Sequence, residues 1–246
     1  MNSGMAYKNR IWEIDFIRGL AIILMVIFHL IVDLKDFHAY PINYLTGFWY
    51  LEGKSSAILF MLISGVSSTL GRSSPLYGSK IFAWGIFLTV VTYIYNPSNY
   101  IVFGILHFLG ISLLSARFVR RLPTPWLFMI SCAAITIGIF FSERFITNPY
   151  LFPIGLITST FISLDYYPIF PWYGVFLFGV TLGKIIYADK KRFGLCQASQ
   201  MQSGFLGSLP LVRPIKLIIW LGQHSLAVYL THQPILLALL YLLHLS

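Results

Sequence analysis

Apolar positions along this chain come in long runs, without the strict alternation of a strand or the polar face of a surface helix. Seven runs approach or exceed the about 20 residues that a bilayer crossing requires, at approximately 14–34, 51–71, 79–95, 101–116, 126–142, 169–187 and 223–244. Polar or Pro/Gly/Asn-rich connections such as Asn96-Pro97-Ser98-Asn99 punctuate them. The pattern predicts an all-α, polytopic membrane bundle of about seven transmembrane helices, forming a single domain over residues 1–246. Two stretches are not clean spans. Residues 149–172 set Pro149, Pro153, Pro168 and Pro171 around the apolar run Ile154–Leu164, too short to cross, which predicts a re-entrant or interfacial helix. Residues 189–213 read as a basic loop that leads into a short interfacial helix ending near Trp220. No internal repeat is visible, which argues against a transporter built from inverted repeats.

Composition fixes the solvent. Hydrophobic residues make up 57% of the 246 and charged residues 10%, against about 25% charged in soluble domains. The chain lacks the polar surface to cover itself in water. Its 17 Lys and Arg against 8 Asp and Glu give a net charge of +9. Because these cations sit between apolar spans, the positive-inside rule accounts for them and nucleic acid is not the implied partner. Only Lys35, Lys54 and Arg144 fall at one set of helix ends, and the other 14 of the 17 fall at the opposite set. That asymmetry predicts a cytoplasmic N-terminus and an external C-terminus in a multi-pass inner-membrane protein. Lys8 and Arg10 precede the first run as in a signal peptide, but Asp15, Arg18 and His29 within it predict a retained anchor. Two cysteines, Cys132 and Cys196, imply neither a disulfide framework nor a metal cluster.

Ionisable side chains inside a span are costly and by default mark function. The first span carries Asp15, Arg18, His29 and Asp33. Arg18 and His29 are eleven residues apart, about three helical turns and ~16 Å, and share a face. Asp33 lies one turn beyond His29, so the two side chains can meet. A carboxylate beside an imidazole fixes its tautomer and leaves the other nitrogen as base or nucleophile. The alternatives are a histidine held by an interhelical hydrogen bond and an Asp15–Arg18 salt bridge that serves as an anchor.

The segment Arg10-Ile-Trp-Glu-Ile-Asp-Phe-Ile-Arg18-Gly19, continued to His29, resembles the opening of the prokaryotic relatives of heparan-alpha-glucosaminide N-acetyltransferase. The Arg18-x10-His29 spacing is also that of membrane acyltransferases that decorate bacterial surface polysaccharides. Further blocks follow in order: Leu62-Ile-Ser-Gly-Val-Ser67, Phe103-Gly-Ile-Leu-His107, Pro171-Trp172-Tyr-Gly174, and Leu221-Gly-Gln-His through Thr231-His232-Gln-Pro234. The resemblance implies transfer of an acyl group, typically acetyl, from cytoplasmic acyl-CoA to an amine or hydroxyl of a sugar or glycan across the membrane. It also raises a rival to His29. The animal enzymes place their proposed acetylated histidine after the first helix, where this chain has His38.

Under that reading Arg18 and Arg72 are candidates to hold the phosphates of CoA, although positive-inside cations need no ligand. His107 falls at a depth similar to His29 and either faces the same cavity or makes a structural hydrogen bond. His232 precedes Pro234 in the last span, where it lines a ligand-facing wall or satisfies a carbonyl that the proline frees. Trp172 is either a sugar platform or a residue of the aromatic belt. Ser64 to Ser68 and Gly179-x-x-x-Gly183 are small-residue patterns of close helix packing. No metal is expected, and a homodimer is a further partnership the resemblance suggests. The competing function is a transporter or flippase of a sugar- or lipid-linked substrate, which would move its cargo without covalent change.

Overall fold

Eight α-helices form the described part of the computed structural model, residues 11–70, 75–188 and 212–243. They are α1 (Trp12–Asp36), α2 (Gly47–Leu70), α3 (Pro75–Tyr95), α4 (Ile105–Val119), α5 (Thr124–Ser142), α6 (Ile169–Ile186), α7 (Val212–Gln223) and α8 (Ser225–Leu242). Six of these, all except α4 and α7, are long and apolar enough to cross a membrane. α4 has 15 residues, a rise of ~22 Å, and falls short of a full hydrocarbon core. Every observed end of the seven predicted runs lies within four residues of its expected position. The apolar surface agrees with lipid as the solvent. On α3, Ile86, Phe87, Val90, Val91 and Ile94 form one exposed stripe that would be untenable in water.

The chain separates into two compact units, Met1–Phe60 with Lys190–Ser246, and Met61–Asp189. In the first, α1 packs against α7 and α8. Glycine makes the closest approach possible: a Cβ at Gly222 would strike the carbonyl oxygen of Asp15, and one at Gly19 that of Ile218. α2 joins this unit through Ser56, whose hydroxyl donates to the Ala21 carbonyl at 2.9 Å, and through Gly53, which lies under the ring of Phe28. α7 is the helix expected ahead of Trp220, and its exposed side carries Arg213, Lys216, Leu217 and Trp220.

In the second unit α3 pairs with α4 and α5 with α6. The small-residue patterns act as packing seams: Gly65 faces the Phe176 carbonyl, Gly179 that of Leu62, and Gly183 lies against Thr69. The start of α4 departs from expectation. Ile101–Gly104 are extended, with the Ile101 N–H bonded to Thr92 and that of Val102 to Ser163. The helix begins at Ile105, where Asp165 accepts its N–H at 2.9 Å.

The expected re-entrant or interfacial helix around Ile154–Leu164 does not form. Pro149–Ile154 is a short 3₁₀ turn closed by Gly155 at φ 106°, and the chain to Pro168 is irregular. Prolines remove donors that a helix would need. The backbone groups pair across the loop instead, with Ile146 N–H to Ile157 O, Leu164 N–H to Tyr100 O and Tyr167 N–H to Phe103 O.

Candidate functional site

Where α1 meets α8, the first unit brings four polar side chains together. His29 and His232 pack edge to face, with ring centroids 4.7 Å apart at 83°. One turn further along α1, Gln233 donates its amide N–H to Asp33 Oδ1 at 2.6 Å. Helical side chains lean toward the N-terminus of their own helix, and both imidazoles follow that rule. Nδ1 of His29 lies 2.9 Å from the Met25 carbonyl, and Nδ1 of His232 lies 2.6 Å from that of Tyr229. A carbonyl can only accept, so in each ring Nδ1 carries the proton and donates. Each Nε2 is left as a lone pair. No partner for either is found among the described residues, and that of His232 is fully buried.

The expected His29–Asp33 pair is therefore corrected. The His29 ring turns back to Met25 while Asp33 reaches across to α8, so a backbone carbonyl rather than the carboxylate fixes the tautomer. Asp33 is 1% exposed, and its Oδ2 is buried without a partner. His38 stands half-buried in the turn after α1. Tyr44 folds this turn back, donating to Asp36 at 3.0 Å and placing its ring on Phe28. Burial, with the Asp36 carboxylate beside it, pushes the Tyr44 hydroxyl above its ordinary pKa. Arg18 gives one guanidinium nitrogen to Asp15 at 3.1 Å, the anchor geometry expected of an i,i+3 pair.

The remaining candidates lie in the second unit or outside the described residues. His107, 5% exposed, occupies the first turn of α4. Its Nδ1 accepts the Gly104 N–H at 3.2 Å, so Nε2 carries the proton and donates to Thr89 Oγ1, which donates in turn to the Ile101 carbonyl. Stacked on Phe103, the ring has both nitrogens bonded within the second unit. Trp172 sets its ring edge against Tyr167 at 5.3 Å. Its neighbours in the Pro171–Gly174 block serve packing: Pro171 covers Gly138, Tyr173 bonds Ser115 at 2.7 Å, and Ser131 donates to the Gly174 carbonyl. Arg72 lies outside the described residues.

Compared with known families, the chain matches the heparan-alpha-glucosaminide N-acetyltransferase catalytic domain over residues 10–234. It belongs to that family. A search of curated proteins and of solved structures gave no match. The match covers both ends of the α1–α8 contact, from Arg10 to Pro234, and makes this a membrane acetyltransferase family member. Sequence reasoning passed over two polar residues that the structure brings forward. Gln233 lies between His232 and Pro234, but its role as partner of Asp33 needs the α1–α8 contact. Glu52 is 9% exposed with both carboxyl oxygens buried and unpartnered. Its signal was available, since it is an ionisable residue in a span, but it falls at the predicted start of the second run, where an interfacial charge is ordinary.

Proposed function

We propose that this acetyltransferase relative moves an acyl group, acetyl in the first instance, from cytoplasmic acyl-CoA to an amine or hydroxyl of an extracytoplasmic sugar or glycan, using His29. The observation that carries the reading is the fixed imidazole of His29, whose Nδ1–H is spent on Met25 and whose Nε2 lone pair is open. A lone pair held in that orientation is what a general base or an acyl-accepting nucleophile needs. As base, His29 takes the proton of the acceptor as its nitrogen or oxygen attacks the thioester carbon. The carbon–sulfur bond breaks, the new amide or ester bond forms, and the proton passes to the departing thiolate. His232, at 4.7 Å, confines the His29 ring and offers a second open Nε2. The 14-to-3 partition of Lys and Arg supports an inner-membrane orientation with Arg18 toward cytoplasmic CoA and His29 toward the far face.

The test uses the full chain in membranes with radiolabelled acetyl-CoA and candidate sugars, following both CoA thiol release and label on the acceptor. Replacing His29 by Ala should lower turnover by ~100-fold or more, the usual worth of general acid–base catalysis. Wild-type turnover in the folded variant, or sugar movement without acetyl-CoA consumption, sinks the proposal.

A further inference from the structure

Around the His29–His232 contact the polar atoms left without partners share one property: all of them accept hydrogen bonds. Asp33 Oδ2, Gln233 Oε1 and His232 Nε2 are buried without partners, and His29 presents its own Nε2. The Gln233 amide is oriented by Asp33, because a carboxylate oxygen can pair only with the NH₂ end, so the carbonyl end is the one left over. The two contacts that bring these atoms together, His29 with His232 and Asp33 with Gln233, are consecutive along both helices.

Glu52 adds a carboxyl group with both oxygens unpartnered to the same unit. Its neighbour Gly53 lies against the Phe28 ring, and Ser56, one turn on and on the same face as Glu52, bonds the Ala21 carbonyl of α1. Glu52 therefore sits on the α1-directed side of α2 at the depth of Phe28 and His29. Buried acceptors without donors are costly, and a ligand that brings its own protons would satisfy them in place of water.

We infer that Glu52, Asp33, Gln233 and the two imidazoles form an acceptor-only lining that selects a sugar presenting hydroxyl or ammonium protons and excludes one carrying a carboxylate. The inference rests on the acyl-transfer reading for the identity of the bound molecule as the acyl acceptor. Its physical content is the charge and hydrogen-bond sense of the site. A carboxylate brought among Asp33, Glu52 and three lone pairs meets like charge and no proton, in surroundings where electrostatic terms are large.

Binding of three probes to the purified full chain tests this without requiring turnover: methyl glucoside, glucosamine and glucuronate. Glucosamine and methyl glucoside should bind at least about tenfold more tightly than glucuronate, the worth of a single lost or opposed buried hydrogen bond. Glu52→Gln, which supplies amide donors at unchanged size, should shrink that ratio to about threefold or less, and Asp33→Asn should act in the same direction. Equal or tighter binding of glucuronate, no measurable binding of any probe, or an unchanged ratio in a folded Glu52→Gln protein overturns the inference. Acetyl transfer from acetyl-CoA is measured in parallel. The expected binding order with no CoA release leaves the selectivity standing and removes the transferase reading, whereas CoA release with indiscriminate binding does the reverse.

Discussion

Gln233 of α8 holds Asp33 of α1 at 2.6 Å, and the pair lies one turn along α1 from the His29–His232 contact. A carboxylate that is 1% exposed in a lipid-embedded bundle has no water to fall back on. The amide of Gln233 is its one hydrogen-bond partner among the described residues, a single polar bond between α1 and α8 beside the histidines.

Removing that bond should therefore be felt as stability before it is felt as chemistry. Gln233→Ala leaves the Asp33 carboxyl wholly unpaired and should cost about 1–3 kcal/mol. Asp33→Ala in the Gln233→Ala background should recover part of that loss, because no unpaired carboxyl remains. Thermal unfolding in detergent of the two single variants and the double variant measures the coupling. Strictly additive losses would show that the bond carries no energy of its own.

Three of the first unit's histidines, His29, His38 and His232, should separate kinetically. His232 confines the ring of His29 and shares its environment, so His232→Ala should lower kcat by roughly tenfold to a hundredfold, less than loss of the base itself. His38 lies in the turn beyond the helix, and its replacement by Ala should change activity by about threefold or less, as for surface positions. Steady-state acetyl transfer by each purified variant gives the order. A His38→Ala protein that is folded yet inactive would transfer the catalytic role from His29 to His38.

The helices and their ends were readable because lipid imposes a simple rule, an unbroken apolar run of bilayer length, and six helices obey it. The small-residue patterns were equally legible, since Gly65 and Gly179 permit a backbone approach that any Cβ would block. Pairing was not legible. The i+4 spacing of His29 and Asp33 is compatible with a contact along α1, but only the position of α8 decides that Asp33 turns to Gln233. The run Ile154–Leu164 misled for a related reason: its apolar content suggested a helix, while its backbone partners are Ile146 and the distant Tyr100, outside the run itself.

His107 differs from His29 in that both of its ring nitrogens are bonded. Its ring joins the Gly104 N–H to Thr89, and through Thr89 to the Ile101 carbonyl. His107→Ala should cost about 3–5 kcal/mol, since it opens a cavity under Phe103 and strands a buried N–H. Acetyl transfer per folded molecule should stay within about threefold of wild type. Unfolding curves and activity normalised to folded protein separate the two effects. A stable but inactive His107→Ala protein would return this residue to the list of site groups.

Alkaline pH should loosen the 143–168 loop before the helices. Tyr166 is half-buried and donates to the Phe152 carbonyl at 2.6 Å, and loss of solvent raises its pKa. Burial raises that of Tyr167 as well, and the nearby Asp165 carboxylate adds to it. A tyrosine in the unfolded chain ionises near pH ~10, so above that pH the unfolded state gives up protons that the folded loop retains. The folded form's advantage is whole below pH ~10 and is lost as pH climbs from there toward the raised folded values. Tyr166→Phe removes one of the two titrating groups. It should lose about 1 kcal/mol at neutral pH with the Phe152 bond, yet show a shallower decline of Tm above pH ~10 than the wild type. Parallel Tm profiles for the two proteins over that range would mean that Tyr166 ionises in the folded loop as freely as in the unfolded chain.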